Sequence, residues 1–253
     1  MLLNQIQKNI FDLLSIKKTC AIREMYKNID ASNATVQRQL NKLEELGYIS
    51  RIHGAVILKE NRKTEHFFDI RMSKNKEKKQ EISVKAVELI KDETSIFMDH
   101  SSTCAYLALE MEKRKYKHIV LVTNSIFIAN KFDGKHYVDL VLAGGELQHS
   151  WSATKGPDAL HTISRFHFDQ AFISCGMFSF ERGARTNYSF VAEIIRKACE
   201  FTFETNLLID SSKFFDGGAF LIRKTCDITK IITDSNLDKK IFGKLKNNNI
   251  NIL

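Results

Sequence analysis

The chain has 253 residues, of which 43% are apolar and 18 are Phe, with a single Pro. That is enough for one or two domains with packed cores, and no apolar run approaches the roughly 20 residues of a membrane span. The net charge of +8 is lopsided: residues 1–80 hold 16 Lys/Arg and 9 Asp/Glu, while the remainder holds 22 and 21, as expected when one end meets phosphates and the other does not.

Apolar residues Leu3, Ile6, Ile10, Leu13 and Leu14 predict a first helix. Residues 17–20 read as a turn, and Ile22, Met25, Tyr26 and Ile29 as a short second helix. Ser32 is a helix cap. Val36, Leu40, Leu43 and Leu46 then mark one face of a third helix. Asn33, Gln37 and Asn41 fall on another line, with Arg38 and Lys42 beside them. Gln and Asn match the N6/N7 edge of adenine, and Arg the O6/N7 edge of guanine. Gly47 stops the helix; a strand over 48–52, a turn at His53-Gly54 and a second strand over 55–58 follow. This order predicts a winged helix-turn-helix DNA-binding domain over 1–58. Its expected DNA contacts are Ser32, Asn33, Thr35, Gln37, Arg38, Asn41 and Lys42, with Arg51 and His53 from the wing.

Residues 59–74 are polar apart from Phe67, Phe68 and Ile70, and read as a tether whose two Phe dock on the larger domain. The Lys/Glu run over 74–79 reads as linker and helix start. Residues 75–253 form the second domain. From Glu81 short β-rich runs alternate with helical stretches, the runs falling at 95–98, 119–122, 138–142, 170–173, 207–209 and 230–232. This predicts an α/β fold with a mostly parallel sheet flanked by helices. The residues after these strands are small, hydroxyl-bearing or Gly: Asp99, Ser101, Ser102 and Thr103; Thr123 and Asn124; Gly144 and Gly145; Cys175 and Gly176; Asp210 with Lys213. In an open α/β sheet the carboxyl edge is where ligands bind. Hydroxyls and exposed N–H groups after residue 103 suit a phosphate, and Lys213 supplies counter-charge.

The five cysteines form no C-x-x-C pair and read as reduced thiols of a cytoplasmic protein. The N-terminus lacks a signal-peptide pattern, since Asn4, Gln5, Lys8 and Asn9 interrupt its apolar residues. The eight histidines form no metal-ligand cluster. Neither a metal nor a cofactor is expected.

These residues resemble the DeoR family of bacterial transcriptional regulators. The likeness runs through T-V-Q-R-Q-L-N-K-L-E-E-L-G and the R-I-H-G-A wing, residues 67–71 and 79–82, Asp99 to Thr103, Thr123-Asn124-Ser125, Gly144-Gly145, residues 169–176, Glu193 with Lys197, and residues 210–214. It implies a second domain like ribose-5-phosphate isomerase in fold, binding a phosphorylated sugar or related metabolite, and it adds Glu193 to the effector residues. It also implies a repressor of sugar or nucleoside catabolic genes. A homodimer or homotetramer would read operator half-sites about 10 bp or a multiple apart. Three departures stand out. Gln37-Arg38-Gln39 replaces the family's usual two arginines and Asp, Ala55 replaces the second wing glycine, and His100-Ser101-Ser102 interrupts the usual D-S-G-T-T loop.

The alternative is a sugar-phosphate isomerase with an added DNA-binding domain. Isomerisation through an enediol needs a carboxylate to move the proton. The loop after 170–173 reads Ser174-Cys175-Gly176-Met177, with no carboxylate before Glu181. No catalytic residue is assigned. An architectural protein is a third class, disfavoured by so many polar loops on one sheet edge.

Overall fold

The computed structural model describes residues 4–17, 19–59 and 68–253. It divides into two compact units: residues up to 76 together with 149–151, and the remainder from 77.

The first unit begins with α1 (Gln5–Lys17), which buries Ile10, Phe11 and Leu14. A strand, β1 (Thr19–Ala21), then pairs antiparallel with β3 (Ala55–Leu58), which also pairs with β2 (Ile49–Ile52). The expected turn over 17–20 is thus partly a strand. Three residues are too few to show alternation in sequence, but Cys20 points into the core while Thr19 and Ala21 face out. Helices α2 (Ile22–Asn28) and α3 (Asn33–Glu45) complete the fold. Ser32 Oγ accepts the Thr35 N–H at 3.2 Å and caps α3. Gly47, at φ +77°, ends the helix, with its own N–H and that of Tyr48 bonded to Glu44 and Leu43 carbonyls. Val36, Leu40 and Leu43 are fully buried as the spacing predicts, whereas Leu46 is 38% exposed because it lies past the last helical turn. His53 and Gly54 both have positive φ, the backbone a tight hairpin turn requires.

The tether reading changes at its end. Phe68–Ser73 forms a short helix, α4, and its Ile70 joins the core built by α1, α2 and α3. Phe68 is buried. Phe67 lies outside the described residues.

The second unit carries a seven-stranded sheet in the order β15-β14-β12-β9-β4-β5-β6, every neighbouring pair parallel. Its strands are β4 (Thr94–Met98), β5 (Ile119–Thr123), β6 (Val138–Leu142), β9 (Phe168–Ile173), β12 (Thr202–Leu208), β14 (Lys230–Ile232) and β15 (Asn251–Ile252). Helix α5 (Lys76–Val87) turns Ile82, Ala86 and Val87 into the main core, with α6 (Ser102–Met111) and α7 (Ile126–Phe132). Two small antiparallel additions went unpredicted: the hairpin β7 (Glu146–Gln148) with β8 (Ala153–Lys155), and the sheet β10 (Met177–Ser179), β11 (Gly183–Thr186) and β13 (Phe220–Arg223). The remaining helices are α8 (Pro157–Ser164), α9 (Ser189–Glu200) and α10 (Lys239–Asn247).

The strand order marks a candidate position for a ligand. From β4 the chain winds outward through β5 and β6, then returns to β9 and winds the other way through β12, β14 and β15. The reversal lies between β4 and β9. Beyond their carboxyl ends such a reversal opens a crevice.

Candidate functional site

In the first unit, the outward side of α3 presents exposed Asn33, Ala34, Arg38, Asn41 and Lys42, with Gln37 half-buried among them. Neither Arg38 nor Lys42 forms an ion pair among the described residues, so both are available to phosphates or bases. Gln37, Asn41 and Arg51 are instead linked. Arg51 Nη2 donates to Asn41 Oδ1 at 2.5 Å, and its Nε lies 3.1 Å from Glu44 Oε2. Tyr26 Oη donates to Gln37 Oε1 at 2.7 Å. Ser32 and Thr35 hydroxyls lie 2.8 Å apart at the cap, and His53 is exposed at the wing tip.

In the second unit, Asp99 sits at the end of β4, 1% exposed. Its Oδ1 accepts the Ser101 N–H and its Oδ2 the Ser174 N–H, both at 2.8 Å. One carboxylate therefore braces the loops on the two sides of the strand-order reversal. Ser101 Oγ caps α6 through the Cys104 N–H at 3.1 Å. Ser102 is 5% and Thr103 0% exposed. The Thr103 and Ser174 hydroxyl oxygens are buried with no hydrogen-bond partner among the described residues. Thr123 Oγ1 donates to the Met98 carbonyl at 2.7 Å and accepts the Ser125 N–H at 3.0 Å. Asn124 Nδ2 lies 3.0 Å from the Thr154 carbonyl and 3.1 Å from His100 Nδ1. The His100 ring stacks on Phe190, with centroids 5.9 Å apart.

The opposite side of the crevice is charged. Lys213 Nζ donates to the Cys175 carbonyl at 3.1 Å and lies 3.8 Å from Asp210 Oδ2. Burial pushes the Asp210 carboxyl up, but Lys213, the Ser212 hydroxyl and the buried Lys79 outweigh it and hold it below the ordinary carboxylate value. Asp234 behaves alike: burial opposes its ionisation, and the Ser211 N–H and hydroxyl, at 2.6 and 2.9 Å, win. Lys78 Nζ donates to Ser211 Oγ at 2.6 Å. Burial raises the Cys175 thiol to about 12, so it is no nucleophile at neutral pH.

Residues 7–62 match the DeoR-like helix-turn-helix domain, and residues 74–235 match the DeoR C terminal sensor domain. The chain belongs to the DeoR family. It is 32% identical to the lactose phosphotransferase system repressor of Lactococcus lactis, over 82% of this chain and 81% of that one. It is 28% identical to the transcriptional regulator GolR of Listeria innocua, over 95% of this chain and 94% of that one. The L-fucose operon activator of Haemophilus influenzae is 29% identical over 86% of each chain. Among solved structures, ribose 5-phosphate isomerase A of Methanocaldococcus jannaschii is similar over 56% of this chain and 55% of that one, at 16% identity and a TM-score of 0.41.

Within this DeoR-family chain, the crevice gathers Asp99, Ser101, Ser102, Thr103, Cys175, Gly176, Asp210 and Lys213 around the reversal, with Thr123 and Asn124 on the adjoining β5 loop. Gly144 and Gly145 follow β6. Gly145 has φ +105°, and an added Cβ would lie 2.6 Å from the Lys155 carbonyl oxygen, whereas Gly144 faces open space. Glu193 lies on the exposed side of α9, and among the described residues no hydrogen bond or ion pair ties it to the crevice. The structure adds Lys78 and Lys79 to this edge, together with Ser174 and Asp234 from post-strand loops whose neighbours alone are named as effector residues in the sequence. Lys79 is 3% exposed and shares a face with Ile82, Ser83 and Ala86. That i, i+3, i+4, i+7 spacing is a helical signal that the linker reading of 74–79 obscured. No helix among the described residues is long and apolar enough to cross a membrane, and none of their acidic, His or Cys groups forms a metal-binding cluster.

Proposed function

We propose that this regulator is a cytoplasmic repressor of sugar or nucleoside catabolic genes, and that a phosphorylated sugar or related metabolite is its effector. The observation that carries the effector reading is the crevice at the strand-order reversal. There the α6 N-terminus lies with two buried hydroxyls that have no partner among the described residues, Thr103 Oγ1 and Ser174 Oγ. Free N–H groups at a helix start and unmatched hydroxyls favour an anion with several acceptor oxygens. Lys79, Lys78 and Lys213 add positive charge along the same edge. The lactose phosphotransferase system repressor and L-fucose operon activator among its relatives support sugar-linked genes as targets.

In this reading Asp99 does not touch the effector. Both its oxygens already hold backbone N–H groups, so its work is to fix the loops. His100, stacked on Phe190, and Asn124 would face the sugar rather than the phosphate. Arg38 and Lys42 would contact operator DNA, with the Arg reading a base and the Lys a phosphate. Two copies of α3 in a homodimer or homotetramer would meet half-sites about 10 bp or a multiple apart. Effector binding shifts operator affinity only so far as it favours one subunit arrangement over another.

We also propose that the chain is not an isomerase. The crevice carboxylates are engaged by N–H, hydroxyl or ammonium groups, and Glu181 pairs with Lys244 at the surface. A thermal-shift screen against sugar phosphates and phosphorylated nucleosides tests the effector, because a ligand binding only the folded chain raises its apparent stability by RT ln(1 + [L]/Kd). One phosphorylated compound should raise the melting temperature while its unphosphorylated parent does not. An equal effect from the bare sugar contradicts the phosphate site, and turnover of ribose 5-phosphate above background contradicts the non-enzyme reading.

A further inference from the structure

Five polar side chains of the first unit form a continuous chain of bonds across α2, α3 and β2. Glu44 holds Arg51, Arg51 donates to Asn41 Oδ1, Gln37 Nε2 lies 3.3 Å from the same oxygen, and Tyr26 Oη lies 2.7 Å from Gln37 Oε1. The polarity of this chain follows from the chemistry of its members. A guanidinium only donates, so the Asn41 atom facing Arg51 is its carbonyl oxygen. That oxygen only accepts, so the Gln37 atom facing it is the amide nitrogen. The oxygen of Gln37 is therefore the atom that faces Tyr26, and the phenol donates to it.

The Gln37 amide is thus held in one orientation, yet it is not used up. Its nitrogen keeps a second hydrogen and its oxygen a second lone pair. It is half-buried, with exposed Asn33, Ala34, Arg38 and Asn41 around it on α3. A donor beside an acceptor matches N7 and N6–H of adenine. An unclamped amide can turn over and offer the two groups in reverse order; this one cannot.

We propose that Gln37 reads one adenine in each operator half-site, and that Tyr26 is a positioning residue that fixes the donor–acceptor order of its amide. The inference rests on the reading of α3 as the helix that meets DNA.

The test is selection of duplexes from a randomised library by the full chain, by Gln37→Arg and by Tyr26→Phe, with sequencing of the enriched pools. The parent should prefer adenine at one half-site position by about tenfold or more over each other base. Gln37→Arg should change that position to guanine and leave the others as they were. Tyr26→Phe keeps the ring that packs against the core. It should keep the parental melting temperature and the rest of the half-site, while the adenine preference falls about three- to tenfold. A parental half-site in which no position responds to Gln37→Arg overturns the inference, as does a Tyr26→Phe pool identical to the parent's. Gln37→Arg lies on the outward face and decides the adenine assignment even where Tyr26→Phe fails to fold. A parent that enriches no sequence overturns the DNA-reading assignment itself, a distinct result.

Discussion

Replacing Asp99 with Asn changes one heavy atom and tests the architecture of the crevice. Its two carboxylate oxygens accept the Ser101 and Ser174 N–H groups at 2.8 Å each, in a side chain only 1% exposed. An Asn amide has one oxygen and one NH2 group. Whichever way it sits, one backbone N–H meets a donor instead of an acceptor. A buried donor without a partner costs about 1–3 kcal/mol, and the surviving bond loses its charge assistance, worth roughly another 1 kcal/mol. The expected destabilisation is about 2–4 kcal/mol. For a domain of this size that lowers the melting temperature by roughly 5–15 °C. Differential scanning calorimetry of parent and Asp99→Asn measures it, and any thermal shift produced by a sugar phosphate should shrink in the variant, because the loops lose their brace. A variant within about 0.5 kcal/mol of the parent that keeps the full ligand shift would show that the two Asp99 bonds do not brace the loops.

Three further outcomes follow from the geometry. Gly145→Ala should destabilise the chain by about 2 kcal/mol or more, since its φ is +105° and the new Cβ would meet the Lys155 carbonyl oxygen at 2.6 Å, whereas Gly144→Ala should be near-neutral; urea unfolding separates them, and equal behaviour contradicts the backbone assignment. Alkylation of the folded chain at pH 8 should label Cys226 fastest, because it is exposed while the other four cysteines are buried, with Cys175 raised to about 12 and Cys199 to about 11; rapid labelling of a second thiol by mass spectrometry contradicts this. Asp210 is held below the ordinary carboxylate value of 3.8, so its ionised form contributes stability above that pH, and the contribution is lost as pH falls below it. The stability gap between parent and Asp210→Asn should therefore narrow between pH 6 and pH 3 in urea titrations; a gap that widens reverses the sign.

Much of this architecture was legible in the chain because parallel strands buried on both faces read as short apolar runs. Residues 138–142 and 230–232 fell where the strands lie. β12 was read as only its last residues because Thr202 to Asn206 are largely polar. Glu204 earns no hydrophobic signal there, yet Lys230 and Gln170 hold it in place from the neighbouring strands. The strands β1, β10, β11 and β13 are three or four residues long, too short to carry a period, and their pairings are set by the tertiary fold. The proposed ligand edge is legible because Asp, Ser, Thr and Gly recur after successive strands. What those residues do there was less legible. Ser101, Ser125 and Asp210 spend their side chains on helix or turn caps, and only the folded chain shows that Thr103 and Ser174 are left with buried hydroxyls to satisfy. Lys79 comes from a segment distant in sequence that reads as linker and helix start, and Asp234 from the loop after β14.

In the proposed mechanism one phosphorylated metabolite, bound at the β4/β9 crevice, sets the affinity of this regulator for its operator. Fluorescence anisotropy with a duplex selected from the randomised library tests it, titrated with the best compound from the thermal-shift screen, for parent and Lys213→Ala. The operator Kd of the parent should change roughly 5- to 150-fold. Lys213→Ala should keep parental affinity without ligand and show little or no response to it. A parental operator affinity that no phosphorylated compound alters, or a full response retained by Lys213→Ala, would contradict that mechanism.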